Sequence, residues 1–168
     1  MRVLNCLSVV CCLAVLSFSQ LARADDTPPP DRKTLEEKFA KTLRNARLTG
    51  FYTAGENAKS PKADQYTISK VEKSDGDKWI FTTKLGYGDR AISIPLEIPV
   101  YWAGDTPVIS VTDFKIMGMG TFTARVMIYQ DHYSGTWSHS GRGGGYMWGK
   151  IESADGPTTK PAEDESKK

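Results

Sequence analysis

Val108 to Ile151, VISVTDFKIMGMGTFTARVMIYQDHYSGTWSHSGRGGGYMWGKI, holds four strand-like runs broken by glycine-rich turns. Between Thr121 and Tyr129 the apolar Phe122, Ala124, Val126 and Ile128 alternate with Thr121, Thr123, Arg125 and Met127. A period of two puts the two sets on opposite faces of a half-buried strand. In Val108–Phe114, Ile109 and Val111 share one face, with Val108, Ser110, Thr112 and Phe114 on the other. Met117-Gly118-Met119-Gly120 reads as the hairpin between these runs, because glycine takes positive φ without steric cost. Tyr133, Gly135 and Trp137 line one face of a third strand; Met147, Gly149 and Ile151 line one face of a fourth, opposite Tyr146 and Trp148. Ser140–Gly145 reads as a flexible hairpin loop between them. The simplest arrangement is an antiparallel meander.

Upstream the β pattern continues. Leu48–Ala54 and Gln65–Glu72 are candidate strands, the latter with Tyr66 and Ile68 on one face. A third opens after the turn Ser74–Asp77 and places Trp79, Phe81 and Leu85 together. Over residues 90–100, Ile92, Ile94, Leu96, Ile98 and Val100 alternate strictly, with Pro95, Glu97 and Pro99 opposite. Both prolines lack the N–H on the same lateral side, which predicts an edge strand or one whose pairing stops near Pro95. Before all this, Thr34 with Glu37 fits a capping box, and Leu35, Phe39, Leu43 and Ala46 follow at helical spacing. Residues 34–47 therefore read as one amphipathic helix packed on the sheet. The expected fold is mainly β: about eight antiparallel strands in a barrel-like meander with one N-terminal helix, over residues 34–152.

The termini read differently. Residues 1–24 have the form of a cleavable secretory signal: Arg2, the apolar Val3–Phe18, then Ala22-Arg23-Ala24. All three cysteines lie inside it, and neither Cys11 nor Cys12 follows the small residue a lipid anchor requires. The expected mature chain has no thiol and no integral membrane segment, and its location is secreted, periplasmic or cell-envelope. Losing Arg2 and Arg23 lowers the basic count from 22 to 20, equal to the 20 acidic residues. Zero net charge argues against nucleic acid as a partner. Residues 25–33, with Pro28-Pro29-Pro30, read as a flexible lead-in, and residues 153–168 as a disordered polar tail.

Chemistry finds few footholds. His132 and His139, with Asp131 and Asp113 nearby in sequence, invite a zinc site, but residues seven apart on a strand face opposite ways. No serine occupies a nucleophile elbow. Glu97 and Asp113 are the only carboxylates suggesting a glycosidase-type pair, with nothing to fix their separation. The glycines at 141–145 join strands and match no phosphate loop, although Arg142 at their centre suits an anion. No cofactor or metal is implied.

The phrases Ala103-Gly-Asp-Thr-Pro-Val-Ile109, Gly120-Thr-Phe-Thr-Ala-Arg125, Tyr133-Ser-Gly-Thr-Trp137 and Gly144-Gly-Tyr-Met-Trp-Gly149 resemble an uncharacterised family of small secreted proteins from planctomycete bacteria. The resemblance spans residues 35–152 and brings no activity or catalytic residue with it. At fold level, Thr49-Gly-Phe-Tyr52 after a helix is similar to the opening motif of lipocalin-type barrels, with Tyr52 where their tryptophan stands.

Many aromatic residues on a β scaffold, without thiol or nucleophile motif, favour a secreted non-catalytic barrel that binds a small apolar or amphipathic ligand. The candidate wall residues are Tyr133, Trp137 and Met147. Arg125 is the candidate to neutralise an acidic head group if its face is the inner one. Two other readings stand beside this: an envelope structural or assembly component that self-associates through residues 90–100, and a cell-surface hydrolase.

Overall fold

The computed structural model describes residues 30–55, 60–85, 92–118, 120–141 and 143–157. The expected signal, most of the lead-in, residues 158–168 and Arg142 lie outside them. The chain forms a closed antiparallel barrel of eight strands in sequence order, with one helix among the described residues. The strands are β1 (Ala46–Tyr52), β2 (Lys62–Lys73), β3 (Lys78–Leu85), β4 (Ile92–Ala103), β5 (Thr106–Ile116), β6 (Gly120–Tyr129), β7 (His132–His139) and β8 (Gly143–Ser153). β8 pairs back onto β1 from Ala46↔Ser153 to Tyr52↔Met147, which closes the ring. The expected meander and barrel are both present.

Helix α1 spans Arg32–Leu43 and begins earlier than the capping-box reading places it. Asp31 is the N-cap, its carboxylate accepting the Thr34 N–H at 2.8 Å. An acidic cap satisfies an otherwise orphaned amide and suits the positive end of the helix dipole. Asn45, at φ 50°, turns the chain, so Ala46 starts β1 and does not extend the helical stripe. The buried face carries Phe39 and Leu43. Phe39 makes edge-on contacts with Trp79, Phe81 and Trp102 at centroid distances of 5.0, 6.2 and 6.0 Å. Burying each of these side chains contributes roughly 1.5–3 kcal/mol. The helix plugs one end of the barrel, its Glu36 ion-paired to Lys73 and Arg32 lying 4.9 Å from the Trp102 ring centroid.

β4 shows what the prolines do. It pairs with β3 along Lys78↔Pro99 to Leu85↔Ile92, but with β5 only from Val100↔Ile109 to Ala103↔Thr106. The Val100 N–H donates to Asp77 O on the β3 side at 2.8 Å. Amide direction alternates along a strand, so Pro95 and Pro99 direct their missing donors toward β5. Pairing stops at Val100, short of the expected Pro95, and the ring is split there beyond this point.

Two expectations of face and extent change. β5 carries a bulge between Val111 and Phe114, where Asp113 sits at φ 47°. The extra residue shifts the alternation, so Phe114, opposite Phe122, joins Val111 on the inner face. Gly143, Gly144 and Gly145 belong to β8 and are not a loop; they pair with His139, Ser138 and Trp137. A Cβ at Gly145 would stand 2.1 Å from the Thr53 carbonyl oxygen, so the strands approach too closely for a side chain.

The expected tail begins in place. Buried Arg47 donates to the Gly156 and Pro157 carbonyls, both at 3.3 Å, and to that of Ala154. The Ala154 N–H bonds Asn45 O at 2.8 Å. The fold therefore reaches Pro157.

Candidate functional site

The strands alternate inward and outward, and the inward residues fall into two layers. Around the helix end they are buried: Leu48, Ile68, Val71, Trp79, Phe81, Ile98, Val100, Val126, Ile128 and Ile151 form one core with Phe39 and Leu43. Toward the opposite end the inward residues are only half-buried: Tyr52, Asp64, Tyr66, Leu96, Ala124, Trp137 and Met147. A side chain that faces the inside of a closed barrel yet still meets solvent lines an open space. Among the described residues the barrel interior is thus cup-like, buried at the helix end and half-buried at the other.

Tyr133 forms the floor. Its ring lies across Gly149 and Gly50, where added Cβ atoms would stand 2.7 Å from its Cε1 and its Oη. Aromatic rings laid over strand glycines from a neighbouring strand are a recognised sheet device. Tyr133 is 2% exposed, and its hydroxyl has no hydrogen-bond partner among the described residues. Burial pushes its phenol well above the ordinary value of 10, and the charge of Asp64 adds to this.

Trp137 stands above it on the wall, its Nε1–H donating to Thr53 O at 3.1 Å and its ring edge-on to Tyr52 at 5.9 Å. Met147 pairs with Gly135 on one side and Tyr52 on the other, so it shares the wall with these aromatics. All three expected wall residues therefore share the inner surface.

Arg125 does not. It alternates with inward-facing Ala124 and Val126, so its side chain is on the outside and exposed. The guanidinium donates to the carbonyls of Val111 and Ala124 and, at 2.8 Å, to the Thr112 hydroxyl, tying down the β5 bulge. An acidic head group inside the barrel gains nothing from it.

The charge inside is of the opposite sign. Asp64 faces inward opposite Gly50 and in phase with Tyr66. Its carboxylate accepts the Tyr66 hydroxyl and, at 2.9 Å, the Gln65 N–H. Burial raises the Tyr66 phenol far above 10, and the bond to Asp64 raises it further. The sequence reading began this strand at Gln65 and so missed Asp64 and the role of Tyr66. The signal was present: Asp64 lies two residues before Tyr66 and four before Ile68, on one alternating phase.

The histidines lie on opposite faces, as their spacing requires. His132 is outside and paired with Asp131 at 2.7 Å. His139 is inside, edge-on to Phe122 at 4.6 Å and over Gly120. Among the described residues no three His, Cys, Asp or Glu gather as metal ligands. Glu97 bonds Ser74 and Lys78, and Asp113 bonds Thr123, so each carboxylate has its own local partners.

A second concavity of about 600 Å³ lies on the outer wall, lined by Phe51, Trp148, Met127, Tyr129, His132 and Lys150 among others. Met127, Tyr129 and Trp148 are 45%, 57% and 38% exposed there. No helix among the described residues is long and apolar enough to cross a membrane. Compared with family models, curated proteins and solved structures, the chain gives no match.

Proposed function

We propose that this chain is a secreted, non-catalytic β-barrel that holds a small apolar or amphipathic ligand in its open half. The observation that carries the reading is the layer contrast: a helix-plugged, buried lower core beneath half-buried inward residues. Apolar walls with a few convergent polar groups are the usual make-up of a small-molecule site. Tyr52, Trp137, Met147 and Leu96 supply the walls; Asp64, Tyr66 and Tyr133 supply the polar groups.

The test is a titration of the folded chain with neutral straight-chain alcohols, read by tryptophan emission and by native mass spectrometry. Saturable binding is expected, lost in Ala124→Trp, which fills the cup, and retained in Met127→Ser, which alters only the outer groove. Binding that survives Ala124→Trp and fails in Met127→Ser moves the site outside the barrel. No binding at any chain length overturns the reading.

The split between β4 and β5 supports a second reading, an assembly component that accepts an added strand. Residues 92–99 of β4 have no partner in β5. Prolines at 95 and 99 leave few donors on that side, which weakens a strand-addition edge. Concentration-dependent association abolished by Glu97→Pro, with the monomer still folded, would favour it over the cup.

A further inference from the structure

We infer that the cup prefers a ligand whose buried end is a cation, a primary ammonium group seated against Asp64 between Tyr66 and Tyr133. This rests on the reading of the barrel interior as a ligand site. It reverses the charge preference expected from Arg125.

Four observations converge. Asp64 is an inward-facing acid partway down the wall, and its two bonds, from Gln65 N–H and the Tyr66 hydroxyl, orient the carboxylate. An ionised carboxylate has about four acceptor sites, so two donors leave capacity for a third. Tyr133 Oη is the second polar atom: buried, unpartnered, and over Gly50, the residue that faces Asp64 across the β1–β2 pair. A buried hydroxyl without a partner costs stability, and a bound N–H group removes that cost.

Third, Tyr52 and Trp137 stand together on the adjoining wall. Their ring faces attract cations and give no comparable attraction to anions. Fourth, among the described residues no lysine or arginine is placed to receive an anion deep in the cup. Arg125 is outside, Arg47 is bonded to the carbonyls of residues 154–157, and Lys62 is exposed at the rim. An anionic head group at this depth would face Asp64 with no lysine or arginine beside it among the described residues, a costly arrangement in a desolvated site. The field of Asp64 already acts on this spot, since its charge raises the Tyr133 phenol.

The experiment compares decylamine, decanol and decanoate, below their aggregation limits and at neutral pH, on the wild-type chain by calorimetry. Decylamine is expected to bind most tightly and decanoate most weakly, with the amine favoured over the alcohol by roughly tenfold, the scale of one charge-assisted hydrogen bond. Asp64→Asn keeps an acceptor for Tyr66 and should collapse the amine preference, bringing decylamine affinity down to the level of decanol in the same variant. Tyr133→Phe should weaken decylamine more than decanol. Equal binding of the three probes, tightest binding of decanoate, or an amine preference that persists in Asp64→Asn overturns the cation assignment while the cup stands. Failure of all three probes to bind removes the cup reading and this inference together. The three-probe comparison is read on the wild type, so a poorly folded variant cannot obscure the outcome.

Discussion

The Tyr133 phenol lies directly over Gly50, across two intervening strand pairings: a Cβ on Gly50 would stand 2.7 Å from Tyr133 Oη. The same Cβ would stand 2.0 Å from the Trp148 carbonyl oxygen, which belongs to backbone and cannot move aside cheaply. Gly50 is therefore both the seat of the cup floor and a point of closest approach between β1 and β8.

Gly50→Ala should destabilise the barrel by about 1–3 kcal/mol, the usual cost of overpacking, and more if β1 must shift. Urea unfolding followed by circular dichroism measures it. An unchanged midpoint would mean that the β1–β8 contact is looser than described.

Tyr66 and Tyr133 set the behaviour in alkali. Their folded pKa values lie above the unfolded value of 10, because burial disfavours the phenolate and Asp64 adds to the effect. Where folded pKa exceeds unfolded, the folded chain keeps its protons longer. The stabilising contribution is whole below pH 10 and is lost as pH rises from there through the folded values. Melting temperature should fall steeply above pH 10, and Tyr66→Phe should flatten the fall. In an ultraviolet titration the Tyr66 and Tyr133 phenols should ionise only on unfolding. A single early step involving every tyrosine would contradict this.

How much of this was legible in the chain depends on whether the pattern was local. The β6 alternation of Phe122, Ala124, Val126 and Ile128 grouped the residues that share a face, and Tyr133 and Trp137 followed the same rule. The paired prolines foretold a break in β4, although β5 pairing sets its position at Val100. Arg125 was a candidate only if its face was the inner one, which alternation alone cannot say, and its face is the outer one. The β5 bulge flipped Phe114 because one extra residue reverses a period of two, and no residue type announces it. Asp64 escaped notice since a carboxylate beside a strand reads as its solvent-facing end. The close approach of Gly145 to Thr53 involves residues 92 positions apart, beyond any local pattern.

Arg47 holds the chain after β8. It is 8% exposed, and its guanidinium serves carbonyls on three residues from Ala154 to Pro157. Arg47→Ala would strand those acceptors and should cost about 1.5–3 kcal/mol. Lysine should not rescue it, since an ammonium lacks the planar fork that reaches several acceptors at once. Hydrogen exchange at the Ala154 amide, bonded to Asn45 O, should speed up in both variants. Exchange unchanged in Arg47→Ala would show that the segment is held by other contacts.

The helix plug makes the cup one-ended, and Phe39 is its deepest point. Its ring meets Trp79, Phe81 and Trp102, two of which lie on β3 and one on β4, so a single side chain ties the helix to both strands. Phe39→Ala should cost about 3–5 kcal/mol, the range for emptying a buried aromatic site. Trp79, 1% exposed, should then report the loss as a red shift in emission as water reaches the helix end. Of the polar groups assigned to the cup, Asp64 and Tyr66 lie on β2 above this core and Tyr133 is the core's own upper member on β7, so alcohol binding at the open end should survive wherever the variant remains folded. The two readouts separate the roles of the two ends. A Phe39→Ala variant that keeps its stability would mean the helix is an accessory to the barrel. One that stays folded but loses alcohol binding would mean that the lower core shapes the cup directly.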